Sequence, residues 1–263
     1  MKITHISVSR KGVFEECPQK YKYQYHLKLE PEGPEPFYFT YGTIVHKIAE
    51  DYVNAGGEEP IGQIAEAIIT GNRPFDQDKE GNELFCPRLP LEYQKKLPNH
   101  VTAVQKLVDQ MGTDGWAEYR FKLDLDPPNG KHIVGVLDRL IHRGDLWFII
   151  DYKTTKKGRY QKTSRDITDD LQLRTYAWVI QQKFQVPAEN IRAALYYVDG
   201  TSLVGARFSE ESLQRAGQEL LEAYNKIVSM PPEQSYGKTG WWCNRCDYRK
   251  ICPFHSITGQ GIR

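Results

Sequence analysis

The chain has 263 residues, a formal net charge of +1, 40% apolar residues and 26% charged residues. These values are typical of a globular protein with one substantial core, and they exclude a disordered chain and a uniformly basic protein that coats nucleic acid. No apolar run approaches the roughly 18 residues of a membrane span, and the N-terminus lacks the apolar segment of a signal peptide. We therefore expect a cytoplasmic protein without membrane attachment.

The first stretch, residues 9–29, predicts a helix that begins at Ser9 and is interrupted at Cys17. Lys20 and Lys22 alternate there with tyrosines, and such lysines can contact phosphates while the aromatic rings stack on unpaired bases. The same pattern is equally typical of an amphipathic helix with half-buried tyrosines. Both interpretations stay open.

Residues 37–54 predict a helix, because apolar residues such as Ile44 and Ile48 recur on one face. His46 lies on this helix, one turn after Gly42. A lone histidine on a helix is usually a polar core or surface residue.

The region that follows, residues 55–115, is expected to form a helical and loop insertion. A short helix over residues 61–70 precedes a surface segment rich in glycine and proline. A second helix is predicted over residues 91–111, and Pro98 predicts a break in it because proline removes a helical hydrogen bond.

Two runs of branched and aromatic residues, 133–141 and 146–151, flank a short polar turn, which predicts a β-hairpin. Asp138 lies among apolar residues in the first strand, where a buried carboxylate needs a partner or a metal. Asp151 and Lys153 share one face of the second strand, since side chains two apart on a strand point the same way.

This arrangement predicts metal chemistry, because Asp138 can oppose Asp151 from the neighbouring strand. Two carboxylates on adjacent strands can hold Mg²⁺ or Mn²⁺ through oxygen ligands. Such a metal lowers the pKa of a bound water and offsets charge that develops on a phosphate. Lys153 could orient the nucleophile or stabilise the transition state.

The remaining segments complete an α/β pattern with a mixed central sheet flanked by helices. A strand over residues 116–125 precedes the hairpin. After the hairpin come a helix over 169–184, strands over 191–198 and 202–208, and a helix over 209–228.

Lys156, Lys157 and Arg159 lie in the loop after the hairpin. Such a basic run is usually a solvated loop, but beside a phosphodiesterase site it can bind the DNA backbone.

The C-terminal cysteines have a metal-ligand spacing, Cys243-x-x-Cys246-x5-Cys252. Three thiolates need a fourth ligand, and two residues can supply it. Cys17 would give the four-cysteine ligation of an iron–sulfur cluster, whereas His255 would give a Cys₃His zinc site.

Three motifs resemble those of the PD-(D/E)XK nucleases, in particular their RecB-like branch: GVLDRL with Asp138, IIDYK with Asp151 and Lys153, and QLRTY with Gln172 and Tyr176. The resemblance implies that Asp138, Asp151 and Lys153 are catalytic. It also implies that Gln172 and Tyr176 position metal-bound groups or substrate.

The resemblance extends to Gly42-x-x-x-His46, which matches the histidine motif of RecB-like nucleases and would make His46 a further metal ligand beside the backbone carbonyl of Tyr152. Glu118 occupies a position where these proteins often carry an acidic residue. It is ranked as secondary, since it could equally be one of the alternating outward charges of the strand.

One cysteine before the nuclease core and three after it resemble the iron–sulfur members of the superfamily, namely CRISPR-associated adaptation nucleases and the AddB-type nuclease domain. This implies a 4Fe–4S cluster bound by Cys17, Cys243, Cys246 and Cys252, in a subdomain of residues 9–30 and 236–256. The cluster would be structural and would link the N- and C-terminal segments of a single nuclease domain over residues 1–263.

The expected function is a Mg²⁺- or Mn²⁺-dependent DNA exonuclease. The resemblance implies single-stranded DNA as substrate, 5′→3′ polarity, and a CRISPR-adaptation, recombination or phage context with corresponding partner proteins. Two other interpretations remain: a DNA-binding or adaptor module that keeps the nuclease fold without turnover, and a structural hairpin combined with a C-terminal zinc ribbon.

Overall fold

The computed structural model of the chain describes residues 3–33, 36–155, 158 and 161–255. The predicted DNA-binding residues Lys156, Lys157 and Arg159 lie outside the described residues. None of the described helices combines the length and the apolar composition that a membrane span requires.

The described residues form eight α-helices and eight β-strands. The helices are α1 Val8–Glu16, α2 Pro18–Tyr21, α3 Phe37–Asn54, α4 Ile61–Ile69, α5 Leu91–Met111, α6 Ser164–Thr168, α7 Leu171–Phe184 and α8 Glu210–Ser229. The strands are β1 His5–Ile6, β2 Asp76–Gln77, β3 Glu83–Leu84, β4 Trp116–Asp126, β5 Lys131–Arg143, β6 Leu146–Lys153, β7 Ile191–Tyr197 and β8 Ser202–Ala206.

The chain divides into two compact units, and it passes between them before α3 and within β4, β5 and α8. The larger unit comprises residues 36–120 and 136–214. The smaller unit comprises the described parts of residues 1–35 and 215–263, together with residues 121–135.

The larger unit contains most of a mixed sheet in which β5, β6, β7 and β8 lie side by side. β5 and β6 are antiparallel, β6 and β7 are parallel, β7 and β8 are antiparallel, and β4 pairs with β5. The predicted hairpin is confirmed, with Gly144 in the left-handed region at φ 56° in its turn. The α/β architecture with a mixed sheet and flanking helices is confirmed as well.

Helices α3, α4 and α5 pack together in the larger unit. Their apolar stripes supply the centre of its core, where Ile44, Ile64, Ile68 and Val104 are completely buried. The burial of several such side chains, each contributing about 1.5–3 kcal/mol, explains why these three helices form.

The predicted break at Pro98 is wrong, because α5 continues through this residue. Proline costs the helix one hydrogen bond and about 3 kcal/mol. The buried face on either side of it, with Leu97 and Val104 in the core, offsets this cost.

In the smaller unit, α1 begins after Ser7, whose side chain accepts a hydrogen bond from the backbone N–H of Arg10. The N-cap is therefore Ser7 rather than the expected Ser9. The predicted interruption at Cys17 is confirmed, since α1 ends before it and α2 begins after it. β1 runs parallel to the first residues of β5.

Candidate functional site

The hairpin brings the two predicted carboxylates together in the larger unit. Arg139 of β5 pairs with Ile150 of β6, which places Asp138 beside the end of β6. The Asp138 side chain is 12% exposed and accepts a hydrogen bond of 2.7 Å from the backbone N–H of Tyr152. Asp151 is 2% exposed.

His46 reaches the same point from the helix α3. Its Nδ1 atom lies 3.4 Å from Asp138 Oδ2 and 3.9 Å from Glu118 Oε1. On the other side of the ring, Nε2 lies 3.0 Å from the carbonyl oxygen of Tyr152. With Nε2 donating to that carbonyl, Nδ1 is the ring nitrogen that faces the carboxylates.

Donor atoms of His46, Glu118 and Asp138 all lie within 4.8 Å of one another, and we call these three residues the acidic triad. The sequence pattern gives Glu118 only a secondary role, whereas the structure places it in this group. Its φ of 49° is rare for a residue with a side chain, and such backbone strain accumulates at functional sites.

Burial and the neighbouring charges shift the pKa values of two members of the acidic triad, Asp138 and His46. Burial raises the pKa of Asp138 to about 7; His46 opposes this shift, and the neighbouring carboxylates of Asp151 and Glu118 add to it. Burial by itself would lower the pKa of His46, but Asp138, Glu118 and Asp151 together raise it to about 9. An imidazolium ion thus compensates part of the carboxylate charge.

Asp151 has other partners and does not belong to the acidic triad. Its Oδ2 atom lies 2.6 Å from Lys153 Nζ, and its Oδ1 atom accepts a 3.1 Å hydrogen bond from Gln172. Although burial disfavours the charged ammonium, the Asp151 carboxylate raises the pKa of Lys153, so the ammonium form persists.

The QLRTY motif lies at the start of α7, where Asp170 caps the helix by accepting from the backbone N–H of Leu173. This cap directs Gln172 towards β6. Its amide also donates a 2.8 Å hydrogen bond to the hydroxyl of Tyr176, whose pKa is raised by burial. The structure therefore brings both motif residues to Asp151.

A cavity of about 620 Å³ opens over the acidic triad. His46, Glu118, Tyr152 and Lys153 line it, together with residues that the sequence interpretation missed: Tyr38, Phe39, Arg120, Thr154 and Thr155. One signal could have found Phe39, because it lies seven residues before His46 and therefore on the same face of α3.

The four predicted cluster cysteines meet in the smaller unit. Cys17, Cys243, Cys246 and Cys252 all line a cavity of about 220 Å³, and all four are free thiols. His255 lines it too, so both candidates for the fourth ligand are present.

The charged residues and the sulfur–sulfur distances around this cavity bear on the two predicted groups, a 4Fe–4S cluster and a zinc ion. Four basic residues and one acidic residue line the cavity: Lys20, Lys238, Arg245, Arg249 and Glu16. In the described chain, only the acidic triad forms a three-residue group of ligand atoms within 4.8 Å, so no three cysteine sulfurs lie that close together. A tetrahedral zinc site would hold its sulfurs about 3.8 Å apart, given a zinc–sulfur distance of roughly 2.3 Å.

The alternating lysines and tyrosines near the N-terminus prove to be largely a packed face. Tyr21 and Tyr23 are buried, and the hydroxyl of Tyr23 donates to the carbonyl oxygen of Ile251 at 3.2 Å. Lys20 forms an ion pair of 2.9 Å with Glu16. The amphipathic interpretation holds for these two tyrosines, which are not available to stack on bases. Lys22 is partly exposed.

Comparison with known proteins gives matches to a family profile and to solved structures. The profile of the PD-(D/E)XK nuclease superfamily matches residues 5–253. Among curated proteins, none matches significantly. Among solved structures, the crystal structure of SSO0001 is similar with a TM-score of 0.45 and 15% sequence identity, covering 97% of this chain and 88% of that one. The chain belongs to the PD-(D/E)XK nuclease superfamily.

Proposed function

We propose that this protein is a divalent-metal-dependent DNA exonuclease that hydrolyses phosphodiester bonds. Membership of a nuclease superfamily supports the reaction class. The observation that carries the proposal is the acidic triad at the base of an open cavity, next to the Asp151–Lys153 pair.

The donor set fits a hard divalent cation. Carboxylate oxygens and an imidazole nitrogen are ligands that Mn²⁺ and Mg²⁺ accept. Burial raises the pKa of Asp138 by disfavouring its ionised form, and a bound cation would stabilise that form. His46, Glu118 and Asp138 would hold the ion. We retain Asp151 and the Tyr152 carbonyl as additional proposed ligands. Such an ion activates water and neutralises charge on the phosphate.

The protein's own residues supply the rest of the proposed chemistry. The Lys153 ammonium provides a fixed positive charge for the oxygen atoms on which charge develops. Gln172 and Tyr176 hold Asp151, and through it Lys153, in one orientation. The Tyr152 N–H fixes the Asp138 carboxylate at 2.7 Å, so the acidic triad is preorganised.

A 4Fe–4S cluster bound by Cys17, Cys243, Cys246 and Cys252 is the second part of the proposal. Two observations support it: the four thiols line one cavity, and the basic residues around them would balance the negative charge of a thiolate-bound cluster. Its role would be structural, since it would link N- and C-terminal segments of the smaller unit. Zinc, with His255 as an optional ligand, is the alternative.

We further propose single-stranded DNA as the preferred substrate, 5′→3′ polarity and a cytoplasmic location. Lys22, Lys156, Lys157 and Arg159 are proposed contacts to the DNA backbone, and proteins of CRISPR adaptation or recombination are proposed partners. A phage context would suit the same activity. The competing function is a DNA-binding module without turnover.

The deciding experiment uses 5′- and 3′-labelled single-stranded and duplex DNA, with protein purified without oxygen, in Mn²⁺, Mg²⁺ or EDTA. The test variant is Asp151→Asn. The matched control is Asp145→Asn, which removes an exposed carboxylate from the turn of the same hairpin.

Metal-dependent cleavage that is lost in Asp151→Asn and kept in Asp145→Asn supports the nuclease, and the label that is released first gives the polarity. Binding without cleavage by protein that contains its cysteine-bound group would favour the DNA-binding module. Cleavage at the full rate by Asp151→Asn would contradict the mechanism.

A further inference from the structure

Two exposed aromatic rings lie at the mouth of the cavity above the acidic triad. Tyr38 is 56% exposed and Phe39 is 52% exposed, and both line the cavity. Their ring centroids are 4.3 Å apart with an interplanar angle of 40°. A ligand that covered both rings would recover hydrophobic free energy.

The position of the rings relative to the acidic triad follows from the helix that carries them. Phe39 and His46 are seven residues apart on α3, which is two turns and a rise of about 10.5 Å along one helix face. A strand whose phosphate lies at His46 would therefore pass Phe39 with a nucleotide near, but not at, the cleaved bond.

The cavity also offers a positive charge that is not already neutralised. Lys47 pairs with Glu50 at 3.0 Å and with Asp51 at 2.9 Å, so its charge is compensated. Arg120, by contrast, is exposed at the cavity and has no ion-pair partner within the described ranges of the chain. An aromatic surface and an uncompensated guanidinium that line the same cavity can contact a base and a phosphate of a nucleic-acid strand.

We infer that Tyr38 and Phe39 form a stacking platform for an unpaired base of the DNA strand that enters the cavity, and that this platform makes the site selective for single strands. Bases in a duplex are stacked on each other, so their faces are not available to the rings. The inference rests on the proposed function for its choice of DNA as ligand, and it adds the residues that select the single strand.

The test measures binding without turnover, by fluorescence anisotropy of a labelled oligothymidylate and of a blunt duplex in EDTA. The variants are Phe39→Ala and Tyr38→Ala. The control is Phe85→Ala, which removes an aromatic ring of similar exposure, 48%, that does not line the cavity. We expect each cavity variant to lose about tenfold in affinity for the single strand, as for the loss of one base–aromatic stack, with duplex binding unchanged.

A second measurement locates the stacked base. A series of oligonucleotides, each with one abasic site, should bind the native protein more weakly when the missing base is the one on the platform. Phe39→Ala should be insensitive to that same position. Equal affinity of Phe39→Ala and Phe85→Ala for the single strand, or equal losses on single strand and duplex, would overturn the inference.

The outcomes separate this inference from the proposed function. Selective loss of single-strand binding in a protein that never cleaves DNA with Mn²⁺ would retain the platform and remove the nuclease. Normal metal-dependent cleavage with unchanged single-strand binding in both cavity variants would retain the nuclease and remove the platform.

Discussion

Replacing Asp138 with asparagine should stabilise the metal-free protein while abolishing its stabilisation by Mn²⁺. The carboxyl group has a pKa of about 7 in the folded protein against an ordinary value of 3.8, chiefly because of burial. Each unit of raised pKa costs roughly 1.4 kcal/mol once the group is ionised, so its ionised form opposes folding by at most about 4 kcal/mol above pH 7. Asparagine keeps the oxygen that accepts from Tyr152 N–H and carries no charge.

The net gain should be smaller than this bound, because removing Asp138 also removes the largest attraction that keeps His46 protonated. We expect about 2 kcal/mol at pH 8, which for a protein of this size is a rise in melting temperature of roughly 4–8 °C. The sign depends on pH. The folded-state pKa of Asp138 is raised, so the neutral acid contributes stability at low pH that is lost as the pH rises through 7. The advantage of Asp138→Asn should therefore be small near pH 4.

The assay is thermal unfolding in EDTA and in saturating Mn²⁺, for the native protein, Asp138→Asn and the exposed-turn control Asp145→Asn. Manganese at a hundred times its dissociation constant should stabilise the native protein by about 2.7 kcal/mol. The reasoning is refuted if Asp138→Asn is less stable than the native protein in EDTA at pH 8, or if it gains as much from Mn²⁺.

Three other predictions test separate parts of the molecule. Lys153→Gln should lower the cleavage rate by about 10²–10³-fold, because it removes a preorganised positive charge. The Mn²⁺-dependent rise in melting temperature should remain. If this rise were lost as well, Lys153 would not act separately from metal binding. Cys17→Ser should lose iron and sulfide by chemical analysis. Cys86→Ser, which removes a free cysteine that does not line the cysteine cavity, should keep them. Zinc without iron or sulfide in the native protein would favour the zinc site. Burial lowers the pKa of His100, whose Nδ1 lies 2.9 Å from the Tyr41 hydroxyl. The native fold should therefore lose stability as the pH falls below about 6.5. Urea titrations at pH 5 and pH 7 should show a smaller loss for His100→Gln.

Local patterns predicted much of the fold, because they depend on short-range regularities. The helix over residues 37–54 has the predicted bounds, since its apolar residues recur with the helical period. The hairpin has the predicted strands, since two β-rich runs flank a turn that contains glycine. At Pro98 the local rule failed, because long-range burial of α5 outweighed the cost of the proline.

The residue types of the candidate site were predictable from the sequence, but the contacts between its side chains were not. Asp138, Asp151 and Lys153 were identified from alternation along the strands and from the motifs, and the structure brings them to one end of the hairpin. It pairs Asp151 with Lys153 and Gln172, however, and gives Asp138 the triad partners His46 and Glu118. The pairing of these side chains depends on the directions in which they leave several different elements. Spacing along the sequence does not contain that information.

Hydrophobic periodicity and turn preferences act over a few residues, so the strand–turn–strand unit and the apolar face of α3 follow from local sequence. The contacts that the residues on these elements make depend on how the chain packs. The tertiary structure placed Glu118 in the acidic triad, left Tyr38 and Phe39 exposed at the cavity, and brought Cys17 to the three C-terminal cysteines. These contacts join residues that are far apart in the sequence, and they form only when the elements that carry them pack together.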